Sequence, residues 1–274
     1  MVTTEIGAVA LHVSTLEYVR KLAKTESVPT VLACYQGFYV DVEQRRKEWD
    51  LMNAELNEKG ILRGEAVHPE LQAWLEALDH PDRELSGRVK RGESMLRMAL
   101  VRRGDVHALA IRYGDEVVIQ NFEYDAQKSS GQLARAALVV LGEGVIPDFN
   151  RVSAPTQSIV DAMPRNVDLD AVYTSLLRVG ASQKDAKVLA TIMATVEVQS
   201  EFVVYERGDG PRARGKGAVS VFDSPKGRFV SSPSVASDGE IWSTMTPGTD
   251  HRISQAFNSL IELLPSEQWW PEAS

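Results

Sequence analysis

Gly217-Ala-Val-Ser-Val-Phe222, Asp223-Ser-Pro-Lys-Gly227, Arg228-Phe-Val-Ser-Ser-Pro-Ser234, Ser237-Asp-Gly239 and Glu240-Ile-Trp-Ser-Thr-Met-Thr246 follow one another in the last quarter of the chain. Short alternating runs separated by Gly-bearing turns predict an antiparallel meander. After Pro247-Gly248, the residues Ile253, Ala256, Phe257, Leu260, Ile261 and Leu264 recur at the spacing of one helix face. Thr249 or Asp250 can cap that helix. The stretch therefore predicts a sheet with a helix laid over it, and it contains no catalytic motif.

The first half repeats this order. Four runs of period two, about 83–91, 94–102, 106–112 and 116–122, are joined by turns at Arg91-Gly92, Arg103-Gly104-Asp105 and Gly114-Asp115. The third, Val106-His-Ala-Leu-Ala-Ile111, is apolar on both faces and is predicted to be central. Helices are expected from a Ser14/Glu17 capping box, over Asp41–Lys59 with Gly60 as its stop, from Pro69 at a first helical position, and over Gly131–Leu141. Thr30–Tyr35 is predicted to be a buried strand.

Gly142 to Pro164 carries three prolines and only one short expected helix, near Thr156–Met163, so it is the natural join. Beyond it, two helices form a tight hairpin in which Gly180-Ala181 closes the first and Ser182 with Asp185 caps the second. Val198–Arg207 is a predicted strand and Gly208–Lys216 a loop. Two helices, about four strands and one helix thus occur at 42–141 and again at 168–264. The halves share no obvious residue identity, so this is a repeat of pattern. The expected fold class is α+β. It is a single domain over 1–274 with pseudo-two-fold halves at about 1–142 and 167–274, joined by 143–166, in which two mostly antiparallel meanders flanked by helices form a central sheet system with a C-terminal helical bundle.

Composition narrows the function. Lys and Arg number 30 against 38 Asp and Glu, a net charge of −8. That charge repels phosphate backbones, so nucleic acid is not an expected partner. The single cysteine, Cys34, excludes an internal disulfide and a cysteine-based zinc site. No signal peptide and no run near 20 apolar residues is visible, so a cytoplasmic protein without membrane insertion is expected.

Motifs of chemistry are absent or in the wrong place. Gly210-Pro-Arg-Ala-Arg-Gly-Lys216 fits Gly-x4-Gly-Lys but lacks the Ser or Thr of a phosphate loop, and it opens a strand where a helix is required. Gly142-Glu-Gly144 follows a helix and precedes Pro147, which rules out a dinucleotide fingerprint. His12, His68, His80, His107 and His251 have no metal-ligand spacing. No Gly-x-Ser-x-Gly elbow occurs. No cofactor and no metal is expected. An enzyme with an unrecognised carboxylate or histidine site in the cleft between the halves is the alternative reading, and no residue singles it out.

Gly227-Arg-Phe-Val-Ser-Ser-Pro233, Asp238-Gly239-x-x-Trp242, Pro247-Gly248 and the Ile253…Leu260 helix resemble the EspG family, cytosolic chaperones of mycobacterial type VII (ESX) secretion. The capped Leu-rich first helix, Val31-Leu-Ala and Gly60-Ile-Leu fit the same pattern, so the resemblance covers nearly the whole chain. It implies a non-enzyme whose partner is a PE–PPE heterodimer, gripped at the apolar tip of the PPE helical hairpin. It also leaves room for contact with the secretion machinery and for weak self-association. The implied partner-binding residues are Phe229, Ser231, Trp242 and Thr244 on the strands, with Arg91 and Glu93 in the loop Arg88–Ser94. An exposed apolar tip is an aggregation hazard. A cover of about 1,600 Å² would keep it soluble. With no ATP site, release is expected by competition or handover.

Overall fold

The computed structural model describes residues 6–35, 41–125, 130–162, 168–208 and 212–270. Contacts divide the chain into two compact units: Met1–Ser86 with Leu96–Tyr124, and Gly87–Met95 with Asp125–Ser274. The helix after residue 132 groups with the second unit. The class is α+β with antiparallel strands, as expected, and the described residues hold eight α-helices.

The first unit begins with β1 (Ala8–His12) and α1 (Val13–Leu22). After them come α2 (Val42–Glu58), a short ribbon of β2 (Leu62–Arg63) and β3 (Ala66–Val67), and α3 (Pro69–Asp79). A meander follows: β4 (Arg83–Arg91), β5 (Ser94–Arg103), β6 (Val106–Tyr113) and β7 (Glu116–Asn121). The tip of the β4–β5 hairpin, Gly87–Met95, belongs to the other unit. The strand order is β1-β7-β6-β5-β4, which puts the doubly apolar β6 inside the sheet as its sequence predicts. Strand alternation sends Ala99, Val101, Ala108, Ala110, Val117 and Ile119 into one core with Leu71, Trp74, Leu75 and Leu78 of α3.

Local chemistry sets the ends of these helices. His12, and not Ser14, caps α1: its Nδ1 accepts the Ser14 N–H at 3.2 Å. His68 likewise caps α3 by accepting the Glu70 N–H at 3.4 Å, one residue before Pro69. Gly60 ends α2 with a φ of 72°, a conformation that suits glycine. Asp79, at the end of α3, accepts the Ser27 N–H at 2.6 Å and the Ser27 hydroxyl at 2.8 Å. Burial alone would raise its pKa. The Ser27 hydroxyl and the Glu26 and Ser27 N–H groups outweigh burial and bring it below the usual carboxylate range.

The second unit contains α4 (Leu133–Leu141), β8 (Val152–Pro155), α5 (Thr156–Ala162), α6 (Leu169–Arg178) and α7 (Gln183–Ala194). Its meander is β9 (Val198–Glu206), β11 (Val219–Ser224), β12 (Gly227–Val235) and β13 (Ile241–Pro247), closed by α8 (Asp250–Ile261). The two-residue β10 (Ala213–Arg214) pairs with β9. The strand order β9-β11-β12-β13-β8 mirrors that of the first unit. In each, a strand from before the helices returns to pair with the last strand of the meander.

The cap expected at Ser182 forms. Its hydroxyl accepts the Asp185 N–H at 3.1 Å and donates to the Asp185 carboxylate at 2.6 Å. That donation, with the N–H of Asn150, holds Asp185 below the usual carboxylate range. Thr249 caps α8 by accepting the Arg252 N–H. One sheet face carries Phe222, Phe229 and Met245 against α6 and α7 residues Val172, Leu176, Leu189 and Ile192. On the other face Phe202 meets Phe257 of α8, ring centroids 5.1 Å apart.

Several expectations are corrected. Thr30–Leu32 is a 3₁₀ turn and not a strand, since Val31 and Leu32 bury themselves without a ladder and Ala33 turns left-handed at φ 52°. An apolar run of this length does not distinguish the two. The 142–164 join contains β8, and the 208–216 loop contains β10. The turn at 223–227 narrows to Pro225-Lys226, because Ser224 already pairs with Gly227. Pro164, Met163 and the Gly210-Pro211 start of the Gly-x4-Gly-Lys stretch lie outside the described residues.

Candidate functional site

Strand register decides which side chains share a face. Across β12 and β13, Ser231 lies opposite Met245, Ser232 opposite Thr244, and Ser234 opposite Trp242. Phe229 and Ser231 therefore point to the side of α6 and α7, and Thr244 and Trp242 to the side of α8. The four expected strand residues do not form one surface.

Phe229 is 1% exposed and stacks on Phe222 at 4.7 Å between ring centroids. It is core, and it presents nothing to a partner. Ser231 is half-buried on the same side. Trp242 is half-buried and donates from Nε1 to Glu240 at 3.2 Å. Thr244 is half-buried, with its hydroxyl 2.9 Å from that of Ser153 on β8.

Arg91 and Glu93 lie elsewhere, at the exposed tip of the β4–β5 hairpin. Arg91 borders two shallow clefts of about 300 and 500 Å³, both shared with Glu197. Neither cleft has a lining residue in common with the one beside β13.

That third cleft, about 440 Å³, opens between α8 and the far halves of β12 and β13. Its floor carries Ser232, Ser234, Thr244 and Thr246, hydroxyl side chains brought to one face by the register. Its wall is the flank of α8 bearing Arg252, Gln255 and Ser259 at i, i+3, i+7. Arg151, the residue before β8, closes one side. Near the start of β12 the same face is sealed, with Val230 buried. The cleft begins where small hydroxyl side chains replace apolar ones.

The sealed half of β12 is pinned by Arg228, which is 2% exposed. Its Nε sits 2.5 Å from the Asp223 carboxylate, and its Nη1 donates to the Gly142 carbonyl at 2.9 Å. Nη2 reaches the Leu141 carbonyl at 3.4 Å, so the guanidinium sits at the negative end of α4. A Cβ at Gly144 or Gly248 would overlap this side chain. Gly144 is needed for close approach to this buried arginine and Gly142 caps α4 at a φ of 71°, so Gly142-Glu-Gly144 has two structural reasons for its glycines without being a nucleotide motif.

Sequence reading missed Arg151, Arg252, Gln255, Ser259 and Thr246. The signal was partly available: Ser232 and Ser234 alternate with the residues chosen, and one flank of the last helix is polar at regular spacing. Which of two alternating faces carries the site cannot be read from one strand. Among the described residues no group of three or more His, Cys, Asp or Glu side chains is placed to hold a metal ion. No described helix is long and apolar enough to cross a membrane.

Comparison with known proteins gives a consistent result. The profile of the EspG family matches residues 12–258. The ESX-1 secretion-associated protein EspG1 of Mycobacterium marinum is 30% identical over 82% of this chain and 77% of its own. The ESX-3 secretion-associated protein EspG3 of Mycolicibacterium smegmatis is 28% identical over 90% of this chain and 83% of its own. A chain in the solved structure of the Mycobacterium tuberculosis type VII secretion system chaperone EspG5 in complex with a PE25–PPE41 dimer superposes with a TM-score of 0.80 at 17% identity. It covers 96% of this chain and 98% of that one, which is a likeness of fold.

Proposed function

Because this chain belongs to the EspG family, we propose that it is a cytoplasmic chaperone of type VII secretion that binds a PE–PPE heterodimer by the helical-hairpin tip of the PPE subunit. It keeps the dimer soluble and hands it to the secretion machinery. The family match over residues 12–258 carries the reading, because it runs through both units. The relative EspG5, described with a PE25–PPE41 dimer, supports the choice of cargo.

The chain acts by binding, without a cofactor. The cleft between α8 and β12–β13 is the docking site, with Thr244 on its floor and Trp242 alongside. Phe229 supports it from beneath the sheet. A standard interface of about 1,600 Å² would extend well beyond this cleft, and reversible handover calls for moderate affinity.

The test is co-expression with a panel of PE–PPE pairs, PE25–PPE41 included, followed by size-exclusion chromatography and calorimetry. One pair is expected to form a stable complex, and Ser232→Trp to abolish it while leaving the thermal melt unchanged. If no pair binds, the cargo assignment fails. Binding that survives Ser232→Trp moves the docking site away from this cleft.

A further inference from the structure

We propose that the cleft beside β12 and β13 receives a carboxylate, an Asp or Glu side chain on the inter-helix turn of the cargo hairpin, held between Arg151 and Arg252. This rests on the cargo reading above and names the chemistry of its central contact.

The charge pattern carries the argument. The chain is acidic, with a net charge of −8, yet this cleft is lined by two arginines and by no Asp or Glu. Both arginines are exposed, and neither forms an ion pair among the described residues. Arg252 is steadied by a 2.9 Å bond from its Nη1 to Gln255. Its guanidinium is held in place without being neutralised.

The remaining lining points the same way. Ser234, Thr246 and Ser259 carry hydroxyls that can donate to an oxygen, while Ser232 donates to the Thr244 carbonyl at 3.4 Å and the Thr244 hydroxyl pairs with Ser153. An apolar tip pressed into this cleft would strip water from two guanidinium groups and return nothing. A carboxylate satisfies them, because the planar fork of arginine matches its two oxygens. The volume of about 440 Å³ is near that of one helical turn, roughly 400–600 Å³ for a cylinder 10–12 Å wide and 5.4 Å in pitch. The cleft thus takes the end of a hairpin and leaves the length of its helices outside.

The PE–PPE pair found in the size-exclusion screen is titrated by calorimetry into wild type, Arg151→Gln, Arg252→Gln, the double variant and Ser232→Trp. Each single arginine change is expected to weaken binding about tenfold and the double change about a hundredfold. Added salt should weaken the wild-type complex more than that of the double variant. Replacing the acidic residue of the cargo turn by its amide should cost wild type the same factor and the double variant nothing.

Wild-type affinity in the double variant, with Ser232→Trp still abolishing binding, overturns the carboxylate and leaves the docking site standing. Wild-type affinity in both shows that the cargo docks elsewhere and overturns both. Equal loss in the double variant with either cargo, acidic or amide, shows that the arginines do not meet that side chain and also overturns the proposal.

Discussion

β6 and β12 hold the same place in the two units. Each is the third strand of a four-strand meander whose last strand pairs with one from earlier in the chain. Their side chains part company halfway along. In β6, His107, Ala108, Leu109 and Ala110 are buried on both faces. In β12, Gly227 to Val230 are buried, and then Ser231, Ser232, Pro233 and Ser234 follow, of which only Pro233 is buried. Shared topology therefore does not create a docking face. The difference is side-chain bulk: where hydroxyls replace apolar groups next to the polar flank of a helix, the layer above the sheet does not close.

The comparison breaks most decisively if the sealed half of β12 is not what holds the second unit. Arg228→Ala leaves the Asp223 carboxylate and the Leu141 and Gly142 carbonyls without their donor, and should cost about 3–5 kcal/mol in a denaturant titration. A loss under about 1 kcal/mol would mean that the open half of the strand is supported some other way.

β6 has its own weak point. Burial, with a smaller contribution from Arg102, pushes His107 down to about 4 against the pull of Asp105. In the unfolded chain this ring takes a proton near 6.5, and in the folded one only near 4. Between those values the unfolded state holds more protons, so stability falls as the pH drops through that window and then levels off. The loss should reach about 3 kcal/mol. It should be seen as reduced hydrogen-exchange protection in β5, β6 and β7, and be absent in His107→Gln. Equal acid loss in both units would erase the contrast.

Smaller changes sharpen it. Gly248→Ala drives a methyl into Arg228 and should cost about 1–3 kcal/mol. In the first unit α1 and α3 are capped by imidazoles, whereas α6, α7 and α8 use Asp168, Ser182 and Thr249. His68→Ala should therefore cost about 1 kcal/mol and His68→Asn should recover most of it, because asparagine also accepts the cap bond. Both are measured by thermal melts.

Most of this architecture could be read before folding was considered. The four strands of 83–121 and the helices at 42, 69, 169, 183 and 250 were legible because their apolar residues repeat at two or at 3.6 and their ends carry caps or turns. β1 and β8 were not. Ala8-Val-Ala-Leu-His12 alternates only weakly because alanine fills its outward positions, and Val152-Ser-Ala-Pro155 is four residues long and ends in proline. Each is held by a partner strand about 90 residues or more away in sequence. Their pairing is a tertiary fact with almost no local signal.

What the sequence determined by itself was the class of fold and most of its helices and meander strands, because periodicity, capping and punctuation are local and survive as patterns in the chain; the family came from the resemblance carried by Gly227–Pro233, Asp238-Gly239-x-x-Trp242 and Pro247-Gly248. What only the tertiary structure decided was the face. The pairing of Ser232 with Thr244 and the approach of α8 turned Phe229 inward and gathered Arg151, Arg252 and the hydroxyls into one cleft. A strand has two faces of equal period, and only the elements packed on either side distinguish the one that is covered from the one that is left to bind.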